Sequence, residues 1–487
     1  MLRAIAPLAS AFVCFAGFAG FAAADDGEAA EHTLFGKSVF QAPELSEEEI
    51  EERQLSLQTY FEEKGWEQHG DVVGPPELFA DGDDPQAALG ADWNYPPHRA
   101  TIFLNFFGGE MTGGTNASLM QSNCIQGTRQ YPGFAGSEAM ALAIIETFQS
   151  KLEPYGIRVA YEEAPPPELP YQMVMMGGKP GDVGFQNGTL GVSCSSDCGD
   201  RWWRDTTLAF TASSNQTTVL ATTALQEAAH AFGLGHIDGS NHIMYPFATS
   251  GAKVWSTECT VYNDATGGIN CKPTHDIWCG GGAQNDDAEL MAYFGANTPD
   301  TEAPVVEIIS PPDGLELEAG GSVEVEANVT DNHDGAGWKI MIYKDGELVE
   351  DKPSFLFETK WPLSGLPAGD YLIRVQAVDH DLNIGADEVT VHVGTQSSGS
   401  TGSDTDGSGG SDTDASGTDG TGGTGGTGGT DGSDGSAGTV GATATAGETA
   451  GDEDPEGCAC VSSERPASGG LWLLAGLLGF LGRRRRQ

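Results

Sequence analysis

The sequence predicts an α+β domain, with a mixed twisted sheet and a helix that carries a metal site, followed by an all-β sandwich. Three observations lead to this fold class. Apolar runs of strand length alternate with helical patterns between about residues 96 and 296. Two histidines at metal-binding spacing close one of these helical patterns. After Pro304, short runs of alternating polar and apolar residues are separated by turn residues.

The N-terminus predicts an exported protein, and the overall charge argues against a nucleic-acid-binding protein. Arg3 precedes an apolar run from Ala4 to Phe21 and small residues up to Ala24, which predicts a secretory signal peptide over residues 1–24. A membrane anchor is the alternative, and the lack of a basic flank after the run weighs against it. The chain of 487 residues has a formal net charge of −48 and only 23 lysines and arginines, so no nucleic-acid partner is expected.

Residues 226–236, with the sequence QEAAHAFGLGH, form the candidate site. In a helix, the first and fifth of these residues lie on one face with Glu227 beside them, so the helix directs His230 into a cleft. Gly233 ends the helix and lets the chain turn, which allows His236 to approach the same point. The alternative is an amphipathic helix whose histidines occupy core positions. Two histidines at this spacing alone would favour that alternative, whereas Gly233, His236 and the Met244 turn taken together favour a zinc site.

Together with Met244 and the Tyr-Pro pair after it, this segment resembles the metzincin metallopeptidases, and within them the matrixin-like branch. The resemblance covers residues from about 95 to 296 and implies a metzincin-like catalytic fold. It also implies Zn²⁺ as the cofactor and a peptide or protein as the substrate. Glu227 matches the general base, Met244 the methionine of the turn beneath the metal, and His230 and His236 two of the three zinc ligands.

Gln226 stands where the family has its first zinc-binding histidine. Three outcomes stay open, because an amide oxygen is a weaker zinc ligand than imidazole. Gln226 ligates weakly, His242 from the nearby turn takes its position, or the metal is lost. A bound metal leads to a secreted zinc endopeptidase in which Glu227 moves a proton from water to the leaving amine. Loss of the metal leads to an inactive homologue that binds a peptide or a partner, and a purely structural surface protein is a third alternative.

Other patterns predict the rest of the metzincin-like domain, residues 96–296. In chain order they predict a strand at 101–107, a helix from Ser137, strands at 157–161, 171–176 and 207–212, a loop that includes residues 259–279, and a capped helix at 285–295. That last helix resembles the final helix of matrixins. Four apolar residues would pack the motif helix on the sheet: Leu225, Ala228, Ala229 and Phe232.

Residues 25–95 are acidic and occupy the place of a metzincin propeptide. Ser46 and Glu49 predict a helix that begins with a capping box. Matrixins silence their zinc with a propeptide cysteine, and this segment has none. A carboxylate such as Asp81 or Asp83 is the candidate for that role, with a solvated loop as the alternative.

Six cysteines of the predicted domain are disulfide candidates: Cys124, Cys194, Cys198, Cys259, Cys271 and Cys279. An even number in an exported domain predicts that all six are oxidised. Their connectivity stays open, and the pairs nearest in sequence are Cys194 with Cys198 and Cys259 with Cys271. Metal binding by residues 194–198 is the alternative.

Residues 303–394 predict a second domain. Residues 344–347 form a hairpin-turn pattern between two alternating strands, and strands at about 371–378 and 387–393 complete a sandwich. This segment resembles bacterial immunoglobulin-like domains. We expect a spacer or an adhesive module, with carbohydrate binding as an alternative that no motif supports.

Two segments follow the sandwich. Residues 395–456 consist mainly of Gly, Ser, Thr and Asp, which predicts a flexible stalk. Residues 457–487 contain Cys458 and Cys460, a short apolar run and an arginine cluster, and they resemble the C-terminal sorting tails of myxobacteria. The alternative is a marginal membrane anchor. We therefore expect a protein that this tail holds at the bacterial cell surface, or that is released from it; a structural Ca²⁺ ion and the oligomeric state stay open.

Overall fold

The computed structural model describes residues 32–79, 97–194, 196, 198–199, 204–263, 271–280, 282–354 and 358–394. They form an N-terminal α/β region with a mixed sheet and helices, followed by a β-sandwich. Among the helices of these residues, none combines the length and the apolar composition that a transmembrane span requires. The predicted signal peptide, stalk and sorting tail lie outside the described residues, as do Asp81, Asp83, Cys458 and Cys460.

The segment of residues 32–79 opens the α/β region. Its elements are β1 (Thr33–Leu34), β2 (Lys37–Ser38), α1 (Glu47–Lys64), β3 (Glu67–His69) and β4 (Val72–Gly74). The predicted capping box of α1 is confirmed: Ser46 Oγ accepts a hydrogen bond from Glu49 N, and the Glu49 carboxylate accepts one from Ser46 N. The helix ends at Gly65, whose φ of 69° lies in the left-handed region that favours glycine.

A five-stranded mixed sheet forms the centre of the α/β region. The elements that follow β4 are β5 (Ala100–Asn105), β6 (Gly109–Thr112), β7 (Thr128–Tyr131), α2 (Glu138–Leu152), β8 (Ile157–Ala160), β9 (Gln172–Gly177), β10 (Gly191–Val192), β11 (Thr206–Phe210) and α3 (Thr217–Ala231). The sheet has the order β10-β11-β9-β5-β8, and all neighbours are parallel except β10, which is antiparallel to β11. The four predicted strands and α2 are confirmed. The edge strand β10 was not predicted, because two residues are too few to show a periodicity.

Strand β9 is covered on both faces. Met173 and Met175 belong to a core that includes Phe61 of α1, whereas Val174 and Met176 belong to a core formed with α2 and α3. Successive strand residues point to opposite faces, so a sheet with helices on both sides needs apolar residues throughout its central strands. The core with α2 and α3 contains the predicted packing residues of the motif helix: Leu225, Ala228, Ala229 and Phe232.

Three disulfides join all six predicted cysteines: Cys124–Cys194, Cys198–Cys271 and Cys259–Cys279. Full oxidation is thus confirmed, and neither of the pairs nearest in sequence is joined. The remaining elements of the α/β region are β12 (Thr260–Val261), α4 (Lys272–Cys279), β13 (Ala283–Gln284) and α5 (Asp286–Phe294). Helix α5 has its predicted Asn285 cap. The loop prediction for residues 259–279 is corrected in part, because α4 has only eight residues and is shorter than the window over which a helical period is recognised.

Residues 305–393 form a β-sandwich. Its strands are β14 (Val305–Ser310), β15 (Leu315–Leu317), β16 (Gly321–Thr330), β17 (Gly337–Lys344), β18 (Glu347–Pro353), β19 (Lys360–Leu366), β20 (Gly369–Val378) and β21 (Ile384–Val393). One sheet has the order β14-β16-β19 and the other β15-β21-β20-β17-β18. The predicted hairpin is confirmed: Asp345 and Gly346 connect β17 to β18 with φ values of 51° and 87°. Two-residue hairpin turns require such positive φ values.

Polar contacts join the α/β region to the sandwich. The hydroxyl of Thr101, in β5, lies 2.8 Å from His380 Nδ1, and both residues are buried. Lys339 Nζ, from β17, lies 3.6 Å from Glu168 Oε1. Buried polar groups are stable only when they are paired, so these contacts fix how the sandwich meets the sheet.

Candidate metal centre

Helix α3 and the turn after it bring two histidines together. His230 lies in the last turn of α3, and Gly233, with a φ of 103°, turns the chain behind it. The carbonyl oxygen of Leu234 lies 2.7 Å from His230 Nδ1 and orients the ring. His230 Nε2 then lies 3.0 Å from His236 Nε2, and both rings are buried. The two histidines that the spacing directs to one point therefore lie together.

A third side chain, which the sequence analysis missed, joins the two histidines. Asp71 lies in the turn between β3 and β4, and its Oδ1 is 3.0 Å from His236 Nε2 and 3.6 Å from His230 Nε2. The three residues form a group that could hold a metal ion, and this candidate is called the metal-binding group. Nothing local distinguishes this aspartate from the other acidic residues around it, so only the tertiary contact reveals its position.

The other predicted site residues lie around this group. Gln226 is buried in α3, and its Nε2 has no hydrogen-bond partner among the described residues. His242 lies outside the three-residue group, with Nδ1 3.2 Å from the carbonyl oxygen of Asp238. Met244 is fully buried in the core with α2 and α3. The geometry therefore brings Asp71, and not His242, to the two histidines.

Glu227 is a buried carboxylate beside the metal-binding group. Its exposed fraction is 0%, and neither of its carboxylate oxygens has a hydrogen-bond partner among the described residues. Burial raises the pKa of Glu227 well above its usual value, and the negative charge of Asp71 raises it further. A side chain at Gly191 of β10 would collide with this carboxylate, so glycine lets the edge strand pass close to Glu227.

The backbone of Asp71 is held by the segment that follows β10. Ser193 N donates to the Asp71 carbonyl oxygen at 2.9 Å, and Val73 N donates to the Ser193 carbonyl oxygen at 2.9 Å. Val72 pairs with Ser193 in a parallel bridge. The next residue, Cys194, is joined to Cys124. Two hydrogen bonds and a neighbouring disulfide thus fix the turn that carries Asp71.

A buried network positions the turn that carries His236. Gln284 accepts a hydrogen bond from Gly235 N at 2.8 Å and donates to the Gly235 carbonyl oxygen at 3.1 Å. Its Nε2 also donates to Asp286 Oδ1 at 2.7 Å, while Asp286 Oδ2 accepts from Ser256 N at 3.0 Å. Burial raises the pKa of Asp286 to about 7, against the lowering effect of these hydrogen bonds. Gln284, together with Asp286 at the start of α5, therefore holds the turn that carries His236.

A cleft of about 520 Å³ opens beside the metal-binding group, and Asp71, Glu227 and His236 form part of its wall. The edge strand contributes Gly191, and the segment after Met244 contributes Tyr245 and Phe247. Lys253 also lines the cleft; it donates to the carbonyl oxygen of Ser240 at 2.6 Å and lies over the ring of Tyr245. A cavity of this volume lies within the range of about 300–1,000 Å³ that is usual for ligand-binding sites.

The donor atoms fit a zinc ion. Bonds of about 2.0–2.1 Å in a tetrahedral site place neighbouring ligand atoms about 3.3 Å apart. The three donor separations at Asp71, His230 and His236 are 3.0, 3.0 and 3.6 Å. Two imidazole nitrogens and a carboxylate oxygen are also the donor types that zinc accepts.

Three aspartates near the ends of strands β16 and β20 form a second group that could hold a metal ion. Asp300, Asp331 and Asp379 place one carboxylate oxygen each within 4.8 Å of the others. Burial raises the pKa of Asp331 to about 6. Asn332 and Asn383 donate to Asp300 and Asp379 respectively, so amide groups already compensate part of this charge. Among the described residues, these three aspartates are the candidate position for the structural Ca²⁺ ion that the sequence leaves open.

Comparisons with known proteins give one family model and several similar solved structures. The family model described as bacterial Ig domain matches residues 304–375. Similar solved structures include fibronectin(III)-like modules of CbhA from Clostridium thermocellum, at 23% identity over 18% of this chain and 96% of that one, with a TM-score of 0.16. The PKD domain of human KIAA0319 has 17% identity over 21% of this chain and 96% of that one, also with a TM-score of 0.16. No curated protein matches the chain.

The matched family and the disulfides agree on the environment of the protein. Disulfides persist in oxidising compartments and are rare in the cytosol. Together with the bacterial Ig match, the three disulfides indicate an extracytoplasmic protein. Residues 304–375 form a bacterial Ig-like domain that follows the α/β region in the chain.

Proposed function

We propose that the chain is an exported, zinc-dependent metalloendopeptidase of the metzincin type, displayed at or released from the bacterial cell surface. The observation that carries the proposal is the group of Asp71, His230 and His236, which lies beside the buried, unpartnered carboxylate of Glu227. Structural sites satisfy their polar groups, whereas catalytic carboxylates commonly await water or substrate. The metal-binding group also borders an open cleft.

The order of elements supports the metzincin assignment. A strand, a helix, further strands and a helix with the histidine motif follow one another along the chain. The antiparallel edge strand β10 runs beside the cleft and has one unpaired edge at Gly191 in the described sheet. An extended peptide can bind such an edge through main-chain hydrogen bonds. Peptides and unfolded protein segments are therefore the proposed substrates.

In the proposed hydrolysis, the bound zinc, Glu227 and Gln284 have different roles. When bound, zinc supplies a Lewis acid that polarises the scissile carbonyl and makes water a better nucleophile. Glu227 accepts the proton of the attacking water and returns it to the leaving amine. Gln284 orients the turn of His236 and acts as a positioning residue.

The rival proposal is an inactive homologue that binds a peptide in the same cleft. It is favoured by Gln226, because the amide is a weaker ligand than the histidine of the family. A binding module would retain the cleft without needing the proton transfer of Glu227.

Zinc content and Glu227-dependent hydrolysis separate these proposals. The full chain, purified without chelators, should carry about one zinc ion and cleave an unstructured protein such as casein. Glu227→Gln should lower the hydrolysis rate about 100-fold or more and keep the zinc, because only the base is lost. If Glu227-dependent cleavage appears only after Gln226→His, the unmodified chain is an inactive homologue. A chain without zinc, and without cleavage in either form, would refute the enzyme proposal.

A further inference from the structure

We propose that Asp71 is a permanent zinc ligand, which replaces the histidine that is absent at Gln226. On this account residues 32–79 remain in the mature protein as part of the metal domain, where a propeptide would be removed. The inference rests on the proposed function, because it names the third ligand of the same zinc site. Asp71 lies far from His230 and His236 in the sequence, and no local motif connects them.

The donor geometry is the first argument. His230 and His236 provide two ligands, and a catalytic zinc site needs three from the protein and one open position. Asp71 Oδ1 lies within 3.6 Å of both imidazole Nε2 atoms and completes a triangle of three donors. The third ligand is therefore present in the fold, although the motif lacks it.

The chemistry of Gln226 is the second argument. Its amide is buried, and its Nε2 has no partner among the described residues. A neutral amide is a weak zinc ligand, whereas a carboxylate binds zinc in many catalytic sites and neutralises one of its charges. A carboxylate at Asp71 offsets the loss of imidazole better than the amide does.

The anchoring of Asp71 is the third argument. A detachable inhibitory residue needs a backbone that can leave, but Asp71 is bound through its own carbonyl oxygen to Ser193 N. The two residues after it, Val72 and Val73, have exposed fractions of 0%. Ser193 itself precedes Cys194, which the disulfide to Cys124 holds in place. The backbone of Asp71 is therefore anchored to the segment that the Cys124–Cys194 disulfide holds.

The packing of the whole segment is the fourth argument. Leu34 and Val39 belong to the core with α2 and α3. Leu57 and Phe61 belong to the core on the other face of the sheet. Removal of residues 32–79 would therefore expose apolar surface on both faces of the central sheet, at a cost in stability.

The cleft leaves room for chemistry with Asp71 in place. The cavity of about 520 Å³ is bounded by Asp71 and Glu227 together, so a substrate can lie against Glu227 while Asp71 remains bound. A carboxylate that only blocked the reacting position would instead have to leave before catalysis. The two roles predict opposite effects of removing the carboxylate.

The test compares zinc affinity in four full-length variants by chelator competition, with the visible absorption of the Co²⁺-loaded protein as a second readout. Asp71→Asn keeps the size of the side chain. Loss of a residue that only supports a metal ligand typically lowers metal affinity about 10- to 100-fold, and Asp71→Asn should lower zinc affinity by more than that. Glu67→Ala, in the same hairpin but outside the metal-binding group, is the matched control and should leave affinity unchanged. Adding Gln226→His to Asp71→Asn should restore affinity, and Glu227→Gln should retain it.

Intact mass and N-terminal sequencing of the protein from its native host provide a measurement that does not depend on variant folding. They should find residues 32–79 attached. A mature form that lacks this segment would overturn the inference. So would an Asp71→Asn protein that binds zinc as tightly as the unmodified chain and cleaves peptides faster, which would make Asp71 an inhibitor and leave the proposed peptidase intact. Absence of zinc from every variant would overturn both the inference and the proposed function.

Discussion

The α/β region and the sandwich stabilise their cores in different ways. Around α3 the α/β region buries charged and polar side chains, with Glu227 and His230 both at 0% exposure. The sandwich fills its core with apolar side chains such as Trp361 and Ile373. The three disulfides of the described residues lie in the α/β region. A region that buries unpaired polar groups loses stability, and covalent cross-links offset that loss.

The largest expected effect comes from removing the cross-link beside the metal-binding group. Replacing Cys124 and Cys194 by serine opens a loop of 70 residues and should cost about 4 kcal/mol of unfolding free energy. Zinc affinity should fall as well, because Ser193 no longer holds Asp71 firmly. The matched control replaces Cys259 and Cys279, whose loop of 20 residues should cost about 3 kcal/mol.

Hydrogen exchange with mass spectrometry measures this difference region by region. Strands β9 and β11 should lose protection in the Cys124/Cys194 variant, while β20 and β21 should keep theirs. Equal loss of protection in the sandwich would show that the disulfide stabilises both regions alike. The contrast between a cross-linked and an uncross-linked region would then not hold.

The next effect lies in the apolar core of the sandwich. Trp361 is 2% exposed, and Trp361→Ala should cost at least about 3 kcal/mol of unfolding free energy through the cavity it leaves. Val349 is 58% exposed, so Val349→Ala in the same sandwich should change stability by less than about 0.5 kcal/mol. Chemical denaturation checks both values. Zinc content should be unchanged in both variants, and its loss in Trp361→Ala would mean that the sandwich supports the metal site directly.

Sequence patterns predict the two regions unequally well. Strands β17, β20 and β21 follow from alternation and from turn residues, because neighbouring strands of a hairpin carry their own local signals. Glu227, His230 and His236 are found for a similar reason, since one helix and one turn bring them together. Asp71 reaches the histidines where Val72 pairs with Ser193, and a pairing between distant segments leaves no periodicity to detect. The disulfide connectivity was open for the same reason.

The smallest expected effect is a pH dependence at the contact between the two regions. His380 is buried, and burial lowers its pKa well below the usual value; His98 and the guanidinium groups of Arg158 and Arg99 lower it further. The folded protein therefore keeps His380 neutral, while the unfolded chain takes up a proton below the ordinary histidine pKa of about 6.5. Stability from this residue is present above that pH and is lost as the pH falls.

Lowering the pH from about 6.5 to 5.5 should therefore remove about 1 kcal/mol of unfolding free energy through His380. Thermal and denaturant unfolding at both pH values measure this loss, and His380→Gln should reduce it. The control is His392→Gln, because His392 is exposed and its hydrogen bond to Asp370 raises its pKa, so its removal should leave the loss in place. If His380→Gln shows the same pH dependence as the unmodified chain, other groups govern the acid sensitivity. The Thr101–His380 contact would then be only a packing contact between the sheet and the sandwich.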